Sequence, residues 1–266
     1  MDATPALPTL FVSHGSPMHA LEPGAVGETW RALGVRGTRP RAILMISAHW
    51  ETPVPMLGGS ERPETVHDFY GFPAPLYRLR YPAPGSPALA ARTQGLLKEA
   101  GFAAGIDGSH GLDHGAWSPL LHMYPAADIP VVQLSVQPEL GMRHHLAIGR
   151  ALAPLAREGV LVVGSGSMTH NLRDLMMQRA AGDAASMPYV QEFRAWVRAR
   201  LEAGDWEGLA AYREHAPHGV RAHPTEEHFL PLIAAAGAAG ASARAECVLG
   251  SVENAVLAMD TWRFTQ

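Results

Sequence analysis

Short apolar runs, each bounded by glycine, proline or polar residues, recur along the chain and are typical of buried β-strands. Between these runs, apolar residues return at helical spacing, so that helices are predicted to alternate with the strands. The predicted strands lie at about residues 8–13, 41–48, 129–136 and 160–165, with weaker candidates near 54–58 and 245–250.

The predicted helices have recognisable ends. Ser86 and Pro87 form an N-cap followed by a proline at the first helical position, and Gly101 ends that helix. The other predicted helices are residues 142–158, residues 188–203 with Phe193, Trp196, Val197 and Leu201 on one stripe, and a helix that begins at Pro224 and carries Phe229, Leu232 and Ile233.

Strands that alternate with helices indicate an α/β fold, in which helices flank a central sheet that is mostly parallel or mixed. The sequence contains no internal repeat, linker or low-complexity tract. We therefore expect a single domain over residues 1–266, and the sequence leaves open whether it is a monomer or a small homo-oligomer.

The composition excludes several classes of protein. Of the 266 residues, 47% are hydrophobic and 17% are charged, which argues against disorder. A net charge of −4, with Lys98 as the single lysine, does not suit a nucleic-acid-binding protein. The single cysteine, Cys247, excludes an intrachain disulfide and a zinc site built from cysteines. No apolar run reaches the roughly 18–20 residues of a membrane span, and residues 1–5 show no basic signal segment, so we expect a cytoplasmic protein.

Histidine is the most informative residue type in this chain, which has 14 of them. His14, His49 and His170 each follow or close a predicted strand, and His228 lies within the first turns of the helix predicted from Pro224. In an open α/β sheet, the carboxyl ends of the strands meet at one crevice, where residues distant in sequence converge. Because neutral imidazole binds zinc and iron well, the pattern predicts a metal site. Either neighbouring carboxylate, Glu226 or Glu227, could also be a ligand.

Two further segments combine polar and aromatic residues. His67 and Tyr70 lie in HDFYGFP (67–73), which suits a loop lining a pocket, although a turn capped by its aspartate explains it nearly as well. His114 and Trp117 lie in GLDHGAW (111–117), whose glycines permit close backbone approach; a capped turn before a helix that starts at Ser118 is the structural alternative. The spacing of the histidines matches no local zinc motif, so the residues alone leave the reaction open.

Taken together, these segments resemble the class III extradiol ring-cleaving dioxygenases, and among them the 4,5-DOPA dioxygenase-like subgroup. The shared motifs occur in family order between residue 10 and about residue 235. They are FVSHGSPM (11–18), SAHW (47–50), HDFYGFP (67–73), YPAPG (81–85), GLDHGAW (111–117), GSGSMTHNL (164–172) and PTEEHFLPL (224–232).

The resemblance implies a non-haem Fe(II) enzyme that uses O₂ to open a catechol ring beside its two hydroxyls, giving a semialdehyde. Position by position, it implies that His14, His49 and His228 are the metal ligands, and that His170 and His114 are active-site histidines. In the protocatechuate 4,5-dioxygenase branch the third ligand is a glutamate.

The small aromatic diol is expected to contact His67, Tyr70 and Trp117. Zinc is expected in the isolated protein, because histidine ligands bind zinc more tightly than Fe(II). Two alternatives remain: a zinc-dependent hydrolase on the same histidines, and a protein whose metal has no catalytic role.

Overall fold

The computed structural model describes residues 6–181 and 185–266, so residues 1–5, on which the signal-segment argument rested, lie outside it. All six predicted strands are present, within one to three residues of the expected bounds. The strands are β1 (Thr9–Ser13), β2 (Ala42–Glu51), β3 (Met56–Gly58), β4 (Gly105–Asp107), β5 (Val131–Val136), β6 (Val160–Gly166), β7 (Arg244–Leu249), β8 (Val252–Glu253), β9 (Leu257–Ala258) and β10 (Thr261–Thr265).

The helices lie between these strands. Four short strands (β4, β8, β9 and β10) and several of the helices were not predicted from the sequence. The helices are α1 (Gly24–Val35), α2 (Pro87–Glu99), α3 (His114–Met123), α4 (Gly141–Leu152), α5 (Pro154–Arg157), α6 (Leu172–Ala181), α7 (Pro188–Ala203), α8 (Trp206–Ala210), α9 (Tyr212–His215), α10 (Gly219–Ala222) and α11 (Leu230–Ala239).

Eight strands form one mixed sheet in the order β4-β3-β5-β2-β6-β1-β10-β7. The four central strands, β5, β2, β6 and β1, are parallel, whereas β10 pairs antiparallel with both β1 and β7. The α/β fold with a central mixed sheet and flanking helices is therefore confirmed.

Helices cover both faces of the sheet, and β2 shows why its sequence is almost continuously apolar. Leu44 and Ile46 pack into one core, with helices α4, α7 and α11. Ile43 and Met45 point to the opposite face and pack into a second core, with α1 and α3. A central parallel strand is buried on both faces, so alternate residues serve different cores and the polar alternation of a half-exposed strand is absent.

Three helix predictions need correction. The helix expected over 142–158 is interrupted, and α4 ends at Leu152 because Pro154, which begins α5, has no N–H for a helical hydrogen bond. The helix expected from Pro224 begins at Leu230, so that His228 lies in the preceding turn. The helix expected from Ser118 begins at His114, because the Asp113 side chain caps it by accepting from the backbone N–H of Ala116.

Among the residues that the structure describes, no helix is both long enough and apolar enough to cross a lipid bilayer.

Candidate metal centre

The carboxyl ends of β2, β6 and β1 lie side by side, and those of β1 and β2 carry His14 and His49. β6 lies between β1 and β2, and the His14 backbone N–H, just after β1, donates to the Gly166 carbonyl at the end of β6, over 3.0 Å. His49 lies in β2, in a stretch where the pairing with β5 shifts register between Ile46 and Glu51. The predicted convergence of strand ends therefore occurs at three adjacent strands.

His14 and His49 point their Nε2 atoms at each other, 2.9 Å apart. Burial, together with the neighbouring histidines, holds the pKa of His14 well below its usual range. Burial is also the largest cause that lowers the pKa of His49 to about 3, with His114 adding to the effect. Both rings are therefore neutral at pH 7, and two imidazole nitrogens at this separation suit coordination of one cation.

A buried hydrogen-bond chain fixes the tautomer of His14. Pro119 lacks the N–H that would otherwise bond to the carbonyl of Gly115 within α3, and the Ser165 hydroxyl donates to that carbonyl instead, over 2.5 Å. The Ser165 oxygen, whose proton is thus used, accepts from Nδ1–H of His14 over 3.0 Å. The proton of His14 is therefore on Nδ1, and the Nε2 lone pair is free to bind a metal.

Asp68 fixes the tautomers of His49 and His114 in the same way, by lying at their Nδ1 atoms. Its carboxylate accepts from Nδ1–H of His114, with both oxygens 3.0 Å away, and from the His114 backbone N–H over 2.9 Å. Nδ1 of His49 lies 3.3 Å from Oδ2 of Asp68. Burial alone would raise the pKa of Asp68, but the side-chain and backbone hydrogen bonds from His114, and the electrostatic influence of the His114 and His49 rings, lower it to about 2. The carboxylate is ionised at pH 7 and keeps both Nε2 atoms directed away from it.

His228 and His170 form the opposite side of the site. Nδ1 of His228 donates to Oε1 of Glu227 over 2.8 Å, and the His170 ring stacks on the His228 ring at 3.5 Å between centroids. Burial lowers the pKa of His170 to about 4 and holds the pKa of His228 far below its usual range. The His228 ring lies 4.9 Å from the His49 ring and 5.5 Å from the His14 ring.

Glycines let the backbone carrying His228 approach the sheet. A Cβ on Gly166 would lie 2.1 Å from the carbonyl oxygen of His228, and that oxygen accepts from the Ser167 N–H over 2.8 Å. The Gly-Ser-Gly sequence at the end of β6 is therefore the local signal that holds the His228 turn above the strand end.

The ligand atoms of the described residues fall into two compact groups, each within 4.8 Å: His14, His49 and His114, and His170, Glu227 and His228. The first group contains two of the three expected ligands, together with a histidine to which we assigned a catalytic role. His228, the third expected ligand, lies in the second group. Its assignment as a metal ligand stays a prediction.

The GLDHGAW segment is built around close contacts. Asp113 is buried, accepts hydrogen bonds from the side chains of Ser47 and Gln133, and has its pKa raised to about 6, chiefly by burial. A Cβ on Gly115 would lie 2.6 Å from the Ser47 hydroxyl and 3.2 Å from the His49 ring. The glycine therefore lets α3 approach β2 closely enough to bring His114 beside His49.

The histidines open into a cavity of about 390 Å³, a size in the range of small-molecule sites. Its other walls are apolar for the most part and come from the 67–73 loop, the helix α6 and the turn after β1. The lining residues are His14, Gly15, Ser16, Pro17, His49, Asp68, Phe69, Phe72, His114, Ser167, His170, Leu172, Leu175, Met176, Arg179, His228 and Leu257.

The three residues expected to contact the substrate, His67, Tyr70 and Trp117, are not part of this lining. Nε2 of His67 lies 3.2 Å from the Leu79 carbonyl, and the buried Trp117 indole donates to the Val66 carbonyl over 2.8 Å. Tyr70 is 91% exposed. His67 and Trp117 contact backbone carbonyls outside the cavity lining, while Phe69 and Phe72 of the 67–73 loop line the cavity. The geometry therefore gives no support to substrate contact by His67, Tyr70 and Trp117.

The sequence interpretation assigned no role to three residues of the site, Asp68, Ser165 and Arg179. Asp68 lies within the recognised motif HDFYGFP (67–73), and a carboxylate between a histidine and an aromatic residue was the one sequence feature that could have identified it. Ser165 lies within the recognised motif GSGSMTHNL, but nothing in the sequence pairs it with His14. Glu227, named above as a possible ligand, accepts from Nδ1–H of His228. Arg179 lies outside every motif and carries no local signal.

Comparison with known proteins gives one consistent result. Residues 8–258 match the family described as the catalytic LigB subunit of aromatic ring-opening dioxygenase. A 4,5-DOPA dioxygenase extradiol of Beta vulgaris is 44% identical over 262 residues, which cover 97% of this chain and 96% of that protein. A protein of the same name from Escherichia coli strain K12 is 42% identical over 238 residues, which cover 87% and 85%. A crystal structure of an uncharacterized protein from E. coli K12 matches with a TM-score of 0.82 and 35% identity, covering 97% of this chain and 99% of the other.

Proposed function

The chain belongs to the LigB family of aromatic ring-opening dioxygenases and is an extradiol dioxygenase, and we propose that it opens a substituted catechol on one Fe(II) held by His14, His49 and His228. One observation carries the metal assignment: an oxygen atom lies at Nδ1 of His14, His49 and His228, which leaves each Nε2 free. Imidazoles oriented in this way by hydroxyl and carboxylate groups are typical of metal sites.

The donor set suits both Fe(II) and zinc, because it consists of neutral imidazoles and contains no thiolate. When bound, Fe(II) supplies the one-electron chemistry that lets O₂ react with a catecholate, which zinc cannot supply because it does not change oxidation state. We infer that protein purified in air holds mostly zinc and has no dioxygenase activity in that form.

The protein's own residues would bind the catechol and move its protons. With a pKa of about 4, the His170 imidazole is unprotonated at pH 7 and can accept a proton from a catechol hydroxyl. Oε1 of Glu227, 3.9 Å from Nδ1 of His170, would stabilise the resulting imidazolium. His114, whose Nδ1 is bound to Asp68, can take up and release a second proton at Nε2 during ring opening. Phe69, Phe72 and the apolar face of α6 would exclude water from the ring.

The test is O₂ consumption after metal exchange. The protein is stripped of metal, loaded with Fe(II) under anaerobic conditions and mixed with O₂ and 4-methylcatechol in an oxygen electrode. We expect one O₂ consumed per catechol and a yellow ring-opened product, whereas the zinc-loaded protein should consume none. Hydrolytic activity of the zinc form, without O₂ uptake by the Fe(II) form on any catechol, would favour the hydrolase alternative.

A second measurement decides the third ligand. His228→Ala and His114→Ala are compared for metal bound per chain, with His215→Ala as the control because that side chain is 65% exposed. We expect His228→Ala to lose stoichiometric metal and His114→Ala to retain it. The reverse result would assign His114 to the metal, in agreement with the compact group that it forms with His14 and His49.

A further inference from the structure

One face of α6 forms a wall of the cavity. Leu172, Leu175, Met176 and Arg179, at spacings of three, four and seven residues, all line it. This spacing places them on one side of the helix. A surface helix normally buries its apolar stripe against the core. Here Leu172 is 53% exposed and Met176 is 72% exposed, so the stripe remains accessible to a ligand in the cavity.

Arg179 is the one guanidinium among the described lining residues. Within residues 6–181 and 185–266, the Arg179 guanidinium forms no ion pair and no side-chain hydrogen bond, unlike most other arginines of the chain. The only carboxylate of the described lining is Asp68, which already accepts hydrogen bonds from His114. The cavity therefore offers an unpaired cation to a ligand and no free carboxylate.

The histidines and Arg179 lie towards opposite ends of α6. His170 lies two residues before the helix begins, whereas Arg179 lies seven residues beyond Leu172. With a rise of 1.5 Å per residue, that corresponds to about 10 Å along the helix axis. A catechol with its hydroxyls at the histidines would direct a substituent on the far side of the ring along the apolar stripe towards Arg179.

We propose that Arg179 is a specificity-determining residue of this site, which binds a carboxylate at the end of the substrate's side chain opposite the hydroxyls. Arginine suits this task, because its planar guanidinium can bind a carboxylate through two parallel hydrogen bonds. A side chain that ends in an ammonium group would meet the same cation and is disfavoured. This inference rests on the proposed function, since it assumes that the diol binds at the histidines.

The experiment uses three catechols that differ in the end of the side chain: 3-(3,4-dihydroxyphenyl)propionate, uncharged 4-ethylcatechol and cationic dopamine. Steady-state O₂ uptake by the Fe(II)-loaded wild type is compared with that of Arg179→Gln. The control is Arg173→Gln, which removes the same charge from α6 at an exposed position outside the cavity lining. Binding of the propionate to the zinc-loaded proteins, measured by calorimetry, gives a readout that needs no turnover.

We expect the wild type to prefer the propionate to 4-ethylcatechol. Arg179→Gln should lower kcat/KM for the propionate by about 10- to 100-fold, mainly through KM, because a charge-assisted hydrogen bond is lost. It should leave kcat/KM for 4-ethylcatechol within about two-fold and improve that for dopamine. Arg179→Lys should retain part of the preference.

Equal losses on the propionate and on 4-ethylcatechol, or an equal effect of Arg173→Gln, would overturn the assignment of Arg179. Failure of the proposed function gives a different pattern, in which no catechol is consumed by any Fe(II)-loaded form. Calorimetry on the zinc form would then still test the assignment, because unchanged affinity of Arg179→Gln for the propionate would refute it.

Discussion

Replacing Ser165 with alanine removes the hydroxyl that connects His14 to α3. In the wild type, this hydroxyl accepts from Nδ1–H of His14 over 3.0 Å and donates to the Gly115 carbonyl over 2.5 Å. Alanine leaves both groups buried with no partner, and Pro119 cannot replace the lost donor because it has no N–H. The imidazole of His14 also loses the contact that sets its tautomer and orientation.

The two effects have different magnitudes and can be measured separately. A buried polar group left without a partner costs about 1–3 kcal/mol, so two such groups should lower the free energy of unfolding of the metal-free protein by about 2–6 kcal/mol. Loss of a group that orients a metal ligand typically weakens metal affinity by about 10- to 100-fold. Urea unfolding of the metal-free protein measures the first, and zinc competition against a chromophoric chelator measures the second.

Ser118→Ala is the matched control. Ser118 is buried in the same helix as Gly115, and no described residue forms a hydrogen bond with its hydroxyl. Its replacement should leave both zinc affinity and stability nearly unchanged. If Ser165→Ala bound zinc within two-fold of the wild type, the hydrogen-bond chain would not control His14, and the argument for its tautomer would fail.

Three further predictions concern neighbouring groups. Burial lowers the pKa of His145 from 6.5 to about 4, and its Nε2 accepts from the Gln137 N–H, so the folded state requires the neutral ring. The stability that His145 contributes is therefore present above pH 6.5 and is lost as the pH falls towards 4. His145→Gln should reduce the difference in unfolding free energy between pH 7 and pH 5, measured by urea unfolding, by up to about 2 kcal/mol. An unchanged difference would contradict the assignment. Gly115→Ala places a methyl group 2.6 Å from the Ser47 hydroxyl and should lower the unfolding free energy by about 1–3 kcal/mol. The same change at Gly95, a half-buried position of α2 where an added Cβ meets no neighbouring atom within 4 Å, should not. Asp68→Asn should weaken zinc binding by about 10- to 100-fold, because the carboxylate orients His49 and His114, and wild-type affinity in the chelator assay would refute that role.

Much of the fold and part of the site were accessible from the sequence alone. The apolar runs at 41–48 and 160–165 predicted β2 and β6, because strands buried on both faces must be apolar throughout. The runs at 8–13 and 41–48 placed His14 and His49 at strand ends, which the sheet topology brings together. The C-terminal strand β10 was missed, because its polar residues hide its position inside the sheet between β1 and β7.

The structure alone decided which groups support the histidines and which residues form the cavity. His114 meets Asp68 across 46 residues, and His14 meets Ser165 across 151, and no local pattern encodes either pairing. Arg179 lines the cavity only because one face of α6 packs beside the histidines, whereas Tyr70, in the 67–73 loop, is 91% exposed and does not line it. Sequence periodicity is set by burial within one element, whereas hydrogen bonds and cavity walls depend on how separate elements pack, so the first could be predicted here and the second could not.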